Sequence, residues 1–416
     1  MIGGSDGRSG GDGANGRRVH PAGPSAARAG GERAVTGAIT GAITGAMTGT
    51  ATRAAVVADA RPALITGGAG FVGCNLADRL LRAGREVIVY DSLARPGVER
   101  NLAWLQATHG DRVRPVVADV RDAAALRRVV REAGEVYHFA AQVAVTTSLT
   151  DPLDDFAVNA QGTITLLEAL RALDEPPPLL FTSTNKVYGD LADVPMAIDG
   201  QRWAPADAEI AASGMGERRP LDFHSPYGCS KGAADQYVLD WARSYGLRTV
   251  VFRMSCIYGP HQYGTEDQGW VAHFLIRALA GDPIVLYGDG RQVRDVLFVE
   301  DLVDAMLLAR RNADRLAGHA FNIGGGPTNT TSLLELLDRI GALHGRRPRV
   351  RHEPWRTVDQ KWYVSDVRGF EAATGWRPRT SVADGLQRLY AWLVESRGRA
   401  VHALEAVEPR AVEATA

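Results

Sequence analysis

A tyrosine and a lysine separated by three residues are the most reactive pair that the sequence suggests. Tyr227 and Lys231 lie in a segment with helical spacing, and positions i and i+4 of a helix share one face. A phenol becomes a base near neutrality if its pKa falls by about three units, which costs roughly 4 kcal/mol. One cation about 4 Å away, at an effective dielectric of 20, supplies a similar energy. The pair is therefore predicted to be a general base that removes a hydroxyl proton.

A second hydroxyl is predicted to share the proton of the reacting oxygen. The short segment 181–184 is apolar at its start and ends in three hydroxyl residues. Thr184 is the first choice for this role and Ser183 the second. Both side chains could instead be structural hydroxyls at the end of a strand.

A glycine-rich turn is predicted to bind the pyrophosphate of a dinucleotide, because it lies between an apolar strand and a helix. Gly67 permits the tight turn, Gly70 lets the backbone approach the pyrophosphate, and Gly73 lets the helix pack on the strand. Phe71 and Val72 open the helix, whose free N–H groups and positive potential attract phosphate. We expect all five residues to line a cofactor site.

Two carboxylates follow the next strands. Asp91 ends the second strand and is the expected partner of a ribose diol, which favours NAD over NADP because a 2′-phosphate would be repelled. Asp119 and Val120, after the third strand, are predicted to lie beside the adenine. Either carboxylate could instead be a helix N-cap or a loop residue.

These residues need a framework of alternating strands and helices. Repeated strand–helix units imply an α/β fold with a Rossmann-type, doubly wound parallel sheet. Beyond about residue 260 the pattern becomes mixed and predicts a smaller α/β C-terminal lobe. Strands are predicted at 63–66, 86–90, 113–118, 136–140, 179–183 and 249–253, and C-terminal helices at 270–280, 301–311, 332–344 and 381–395.

The composition changes along the chain predict its domain boundaries. Residues 1–60 are rich in Gly, Ala, Arg and Thr and cannot bury enough apolar surface to fold, so we expect disorder; a wrongly assigned start codon is the alternative. Residues 61–260 form the predicted NAD-binding domain, with an insertion at about 190–224. Residues 261–395 form the predicted substrate lobe, interleaved with the first domain, and 396–416 a flexible tail.

Charge and cysteine content exclude several classes of function. The formal net charge of −1 argues against binding to nucleic acid or to anionic membranes, which both need a basic field. No apolar run is long enough to span a bilayer. The three cysteines, Cys74, Cys229 and Cys256, have no metal-ligand spacing, so no metal is expected. Their sparse, odd number predicts a reducing compartment, the cytoplasm.

The glycine spacing Gly-x-x-Gly-x-x-Gly and the Tyr-x-x-x-Lys pair resemble the extended short-chain dehydrogenases and reductases, the sugar-nucleotide epimerase and dehydratase group. The resemblance covers about residues 61–395, and within the group the chain looks most like the CDP-paratose 2-epimerases. Further segments that carry it are 138–142, 159–163, 183–190, 221–235, 258–260, 267–270, 292–296 and 322–325.

The resemblance implies roles for individual residues and a bound NAD. Tyr227, Lys231 and Thr184 would be catalytic. Arg294 would meet the pyrophosphate of the nucleotide sugar, or would instead pair internally with Asp295. At the NAD site the resemblance adds Gln142 and Asn159 beside Tyr227 and Lys231. At the substrate site it adds Asn185 and Lys186 beside Thr184.

Asn185 and Lys186 distinguish between possible reactions. In the related 4,6-dehydratases an Asp-Glu pair follows the threonine and eliminates water. Because this chain has no carboxylate at those two positions, dehydration is disfavoured. The resemblance predicts C2 epimerisation of a CDP-hexose through a transient keto sugar. A UDP-sugar 4-epimerase is the nearest alternative, and a non-catalytic NAD-binding protein is an alternative of another class. A homodimer or higher homo-oligomer is expected from the resemblance.

Overall fold

The computed structural model describes residues 61–356 and 359–405. The predicted disordered segment 1–60 lies outside these residues. In the described part of the chain the strands are β1 Ala63–Thr66, β2 Val87–Asp91, β3 Val113–Val117, β4 Glu135–His138, β5 Leu179–Thr184, β6 Met196–Asp199, β7 Arg202–Pro205, β8 Thr249–Met254, β9 Cys256–Tyr258, β10 Ile284–Tyr287, β11 Val293–Phe298, β12 His319–Ile323, β13 Thr330–Ser332, β14 Val350–Glu353 and β15 Trp362–Tyr363.

The helices alternate with these strands as the sequence pattern predicts. They are α1 Phe71–Arg82, α2 Val98–His109, α3 Ala123–Val130, α4 Val145–Thr150, α5 Pro152–Phe156, α6 Gly162–Arg171, α7 Ala208–Ser213, α8 Ser225–Tyr245, α9 Trp270–Ala280, α10 Val299–Arg311, α11 Ala313–Leu316, α12 Leu333–His344, α13 Arg368–Thr374 and α14 Val382–Glu405. A single π-helical turn, Ala157–Gln161, joins α5 to α6.

The central sheet has seven strands in the order β12-β8-β5-β4-β1-β2-β3, all parallel. Its inner strands are apolar on both faces because helices cover both faces, and every residue of β1 is buried. The strand order reverses beside β1, which opens a crevice at the carboxyl ends of β1 and β4. The predicted doubly wound sheet is confirmed.

Two apolar layers enclose the sheet. One face packs against α1, α2 and α10, and the other against α3, α6 and α8. Representative buried side chains of the first layer are Leu76, Leu105 and Met306, and of the second Leu126, Leu167 and Val238. Since α8 belongs to the second layer, the sheet fixes the position of the helix that carries Tyr227 and Lys231.

The C-terminal part adds a smaller mixed sheet and three helices. Strand β11 pairs with β9, β13 and β15, and α9, α12 and α14 close over a third apolar cluster that contains Phe298, Leu337 and Leu389. Strand β12 returns to the main sheet and pairs with β8. Helix α14 continues to Glu405, beyond residue 396, where the flexible tail is predicted to begin. Residues 406–416 lie outside the described part.

A buried ion pair ties α8 to the sheet. Arg253 on β8 and Asp235 on α8 form two hydrogen bonds of 2.9 Å, and their side chains are 6% and 0% exposed. The phenol of Tyr188 contacts the same guanidinium at 3.2 Å. Because both charges are removed from water, either one becomes costly without its partner.

We expect Asp235→Ala to lower the free energy of unfolding by about 3–5 kcal/mol, because it leaves the Arg253 guanidinium buried without a counter-charge. The measurement is urea unfolding followed by circular dichroism. The control is Glu168→Ala, which removes an exposed partner of Arg171 and should change stability by less than about 1 kcal/mol. Equal losses in both variants would contradict the assignment.

Candidate active site

Helix α8 presents Tyr227 and Lys231 to the end of β5. Pro226 lies in its first turn, where a missing N–H costs nothing. The Lys231 ammonium donates a 2.7 Å hydrogen bond to the Thr182 carbonyl and lies 4.2 Å from the centre of the Phe181 ring. These contacts hold the lysine against the strand rather than in solvent.

The phenol of Tyr227 lies close to the hydroxyl of Thr184, which lowers the pKa of the phenol. The backbone N–H of Tyr227 donates to Ser148 Oγ at 3.1 Å. Ser183 Oγ is buried without a hydrogen-bond partner among the described residues, and its predicted role as the second choice stays a prediction. The geometry therefore favours Thr184 over Ser183 as the second hydroxyl.

The electrostatics of the pair differ from the sequence expectation. Burial raises the pKa of Tyr227 to about 12, and the nearby Thr184 hydroxyl opposes this rise only in part. Burial also lowers the pKa of Lys231 to about 7, against the opposing charges of Asp235 and Asp155. The expected fall in the phenol pKa is thus not found in the protein alone, because desolvation of the phenol is the largest effect on its pKa.

The glycine turn has the close approaches that a dinucleotide site requires. A Cβ on Gly73 would lie 2.3 Å from the Gly67 carbonyl oxygen, and one on Gly67 would lie 2.7 Å from the Ala140 nitrogen. Gly67 also has φ +70°, a region that favours glycine. A Cβ on Gly70 would meet only the Gly67 oxygen at 3.1 Å, so its outer side is open.

The start of α1 fits the phosphates of NAD. Its N-cap is Gly70, no side chain caps it, and the N–H groups that open the helix at Phe71 and Val72 remain available to an anion. Asp91 at the end of β2 accepts hydrogen bonds from Ala69 N (3.0 Å) and Leu93 N (2.9 Å). Asp91 does not cap a helix, which removes that alternative for it.

The predicted adenine residues have different environments. Asp119 is only partly buried and pairs with Arg121 at 2.7 Å, which lowers the pKa of the Asp119 carboxyl. The N-cap of α3 is Asp122, not Asp119. Val120 is buried, and a Cβ on Gly162 would lie 2.5 Å from it. Val120 therefore packs α6 against the sheet.

Gln142 and Asn159 are joined at the same edge of the sheet. The backbone N–H of Gln142 donates to Asn159 Oδ1 at 2.9 Å, and Asn159 Nδ2 donates to the Gln142 carbonyl at 3.1 Å and to Ser230 Oγ at 3.1 Å. Asn159 thus connects the loop after β4 with α8. Its predicted contact with NAD stays a prediction.

The predicted substrate residues face the C-terminal part of the chain. Arg294 does not pair with Asp295; it forms a 2.8 Å ion pair with Asp359, while Asp295 accepts from Ser255 Oγ and from the Gly326 N–H at 3.1 Å. Arg294 thus pairs with Asp359 instead of its neighbour Asp295, because β11 directs Arg294 and Asp295 to opposite faces.

Lys186 and Asn185 follow Thr184 in a short 3₁₀ turn, Asn185–Tyr188. The Lys186 ammonium donates to Gln360 Oε1 at 3.4 Å, and burial together with the charge of Arg294 lowers the pKa of Lys186 to about 8. Asn185 is buried, with its Oδ1 3.4 Å from Thr184 Oγ1. Both positions thus lie beside the reactive hydroxyl.

Several site residues are absent from the sequence predictions. Ser148 on α4 and Asp155 on α5 hold α8 through Tyr227 N and Ser230 Oγ. Asp359 and Gln360 contact the predicted substrate residues Arg294 and Lys186. Asp155 carried a usable signal, because it stands four residues before Asn159 and shares its helical face. The other contacts join segments far apart in the chain.

Residues 61–356 and 359–405 contain no group of three or more His, Cys, Asp or Glu side chains arranged to hold a metal ion. No helix in these ranges has the length and apolar character needed to cross a membrane.

Comparison with known proteins gives a consistent result. Residues 63–324 match the profile of the NAD dependent epimerase/dehydratase family. The chain is 42% identical over 336 residues to a CDP-paratose 2-epimerase from Salmonella typhi, covering 79% of this chain and 98% of that protein.

Solved structures agree with this result. A UDP-glucose 4-epimerase from Thermus thermophilus in complex with NAD has a TM-score of 0.66 at 32% identity, over 80% of this chain and 99% of its own. A dTDP-glucose 4,6-dehydratase from Streptomyces venezuelae with NAD bound has a TM-score of 0.67 at 32% identity, over 81% and 98%.

We expect Gly73→Ala to weaken NAD binding at least about tenfold, or about 1.4 kcal/mol, because the new methyl group must displace the Gly67 carbonyl. Isothermal titration calorimetry with NAD is the measurement. Gly216→Ala is the control, since its Cβ would lie 3.6 Å from Asp366, an ordinary contact. Unchanged affinity in Gly73→Ala would show that the turn does not hold the dinucleotide.

Proposed function

Because this chain belongs to the NAD-dependent epimerase/dehydratase family, we propose that it inverts C2 of a CDP-hexose of the paratose and tyvelose type. The observation that carries the proposal is the local arrangement around the Tyr227 phenol. The Thr184 hydroxyl lies close to it and lowers its pKa, so the groups for oxidising a hydroxyl are present. Asn185 and Lys186 occupy the positions where a dehydratase needs its carboxylates, so this chain lacks the groups there that would eliminate water.

The proton moves through the protein's own side chains. Tyr227 removes the proton of the C2 hydroxyl, while Thr184 hydrogen-bonds to the same oxygen and holds it in place. The charge that develops on the phenol is stabilised by the Lys231 ammonium, one helical turn away. In the second half of the reaction Tyr227 returns the proton to the oxygen, and the hydroxyl is restored.

The glycine turn, Asp91 and Asn159 would hold NAD. When bound, NAD would supply the hydride acceptor and donor for C2, and the positive charge of its ring would favour the Tyr227 phenolate. The resulting 2-keto sugar must present its opposite face before reduction, or the starting configuration is recovered.

A flexible sugar needs a fixed anchor. The nucleotide diphosphate supplies one if Arg294 binds its oxygens, because a guanidinium fork matches phosphate geometry. Arg294 is 8% exposed and held by Asp359, so its position is set before substrate arrives. The sugar ring can then turn while its nucleotide stays in place.

We expect the purified protein to convert a CDP-hexose to its C2 epimer and to retain deuterium placed at C2. The reason is that the hydride leaves and returns within one active site. The measurement is product NMR across CDP-, UDP-, GDP- and dTDP-hexoses, with stereochemistry determined at every carbon. Loss of the label to water would exclude this route, and inversion at C4 of a UDP-sugar would replace it with the alternative reaction.

Tyr227→Phe is the matched control for this experiment. It keeps the ring and removes the proton-transferring oxygen, so turnover should fall about 10²–10⁴-fold while NAD binding is retained. Full turnover in this variant would exclude Tyr227 as the base.

We also propose that the protein forms a homodimer. Of the nine large hydrophobic side chains that are exposed in the described residues, five lie on the neighbouring helices α4, α5 and α8: Leu149, Leu153, Phe156, Tyr237 and Tyr245. Such a concentration of exposed apolar groups is typical of a protein interface. A second copy of the chain is the partner that we infer.

We expect the protein to sediment as a dimer and Leu153→Glu to sediment as a monomer, because Leu153 is 81% exposed and a buried unpaired carboxylate opposes association. Analytical ultracentrifugation is the measurement, and Ile198→Glu on the distant β6 is the control. A monomeric unaltered protein would exclude the homodimer.

A reducing location such as the cytoplasm also belongs to the proposal. Its support is that Cys74, Cys229 and Cys256 are all free thiols, a state that a reducing compartment maintains.

A further inference from the structure

A buried carboxylate lies behind the reactive helix, and the proposed reaction does not use it. Asp155 on α5 has no exposed surface. Its Oδ2 accepts a hydrogen bond from Ser230 Oγ at 2.5 Å, and its Oδ1 accepts one from Asn159 Nδ2 at 3.2 Å. Ser230 directly precedes Lys231, so this contact holds the turn of α8 that carries the ammonium.

Hydrogen bonding alone does not explain a carboxylate at this position. The two donors that contact Asp155 are neutral. An asparagine could keep both contacts by accepting from Asn159 Nδ2 and donating to Ser230 Oγ, whose hydroxyl can turn to the Tyr227 carbonyl. Burial raises the pKa of the Asp155 carboxyl, while Ser230 and the charge of Lys231 lower it. A buried charge is costly, so the charge itself needs an explanation.

The surrounding charges point to Lys231 as the group that benefits. Asp235 also faces Lys231 but already forms the ion pair with Arg253. His138, the titratable group from β4, stays neutral because burial lowers its pKa to about 3. Asp154, next to Asp155, points outward and pairs with Arg121. Asp235 and, after it, Asp155 raise the pKa of Lys231, and of these two Asp155 is the carboxylate that forms no ion pair among the described residues.

We propose that Asp155 is a positioning residue for the Tyr227–Lys231 pair. Through Ser230 it fixes the helical turn that carries Lys231, and its negative charge keeps that ammonium protonated inside the protein. The proposal rests on the proposed function, since it assigns Asp155 a role in the same proton transfer.

The proposal predicts the direction in which the pH–rate profile moves when the charge of Asp155 is removed. The negative charge of Asp155 raises the pKa of Lys231 and that of Tyr227. Without that charge the Lys231 ammonium loses its proton at a lower pH, and the Tyr227 phenol also ionises at a lower pH. Both limbs of the pH–rate profile should therefore move to lower pH.

The test is Asp155→Asn in the full-length protein, which keeps the side-chain shape and removes the charge. We expect the kcat profile for the CDP-sugar to move by about one pH unit toward acid, with NAD affinity and the melting temperature close to those of the unaltered protein. Asp240→Asn on the exposed side of α8 is the control and should leave the profile in place. A uniformly lower kcat with no displacement would show a purely structural role and overturn the proposal.

A second readout needs no sugar substrate and so separates this proposal from the proposed function. Ultraviolet difference titration of the NAD-bound protein against its Tyr227→Phe variant reports the ionisation of Tyr227 alone. We expect its midpoint to move to lower pH in Asp155→Asn.

Ser230→Ala provides a second variant in case Asp155→Asn does not fold. It removes the hydroxyl that donates to Asp155, and we expect a smaller displacement in the same direction. An unmoved phenol midpoint in the variants that fold would overturn the role of Asp155, whatever the sugar specificity proves to be.

Discussion

The site depends on placing two ionisable groups, one helical turn apart, where they lose much of their hydration. Lys231 is held by a backbone carbonyl and an aromatic face at the end of β5, and Tyr227 by the hydroxyl of Thr184. Neither contact compensates fully for lost hydration, so the pKa of the lysine falls and that of the phenol rises. The protein maintains this arrangement by anchoring α8 rigidly, through the ion pair to β8 and the hydrogen bonds from α5.

Much of the framework could be predicted from the sequence because its signals are local. The apolar runs of β1 and β5, the glycine turn and the helical spacing of α9 and α12 each report on a few neighbouring residues. The strand and helix bounds agree to within about two residues at most of these elements. The extension of α14 to Glu405 was not predicted, because the sequence loses its regular apolar spacing after about residue 396.

The site itself was only partly predictable. Tyr227, Lys231 and Thr184 carry recognisable spacing, whereas Asp359 meets Arg294 only because β11 and the segment before β15 are folded together. The direction of the phenol pKa was also not predictable. A lysine four residues away suggests stabilisation of the phenolate, but the sequence does not reveal how completely both groups are desolvated.

Strand β12 has a consequence for how the protein is made. It completes the edge of the main sheet beside β8, yet its residues are synthesised only after α9, β10, β11 and α10 have emerged. Until His319–Ile323 leave the ribosome, the backbone groups along one side of β8 have no strand to pair with, and an unpaired strand edge readily joins other chains. The nascent dinucleotide domain therefore passes through an interval in which its sheet is open, and the C-terminal part acts as the segment that closes it.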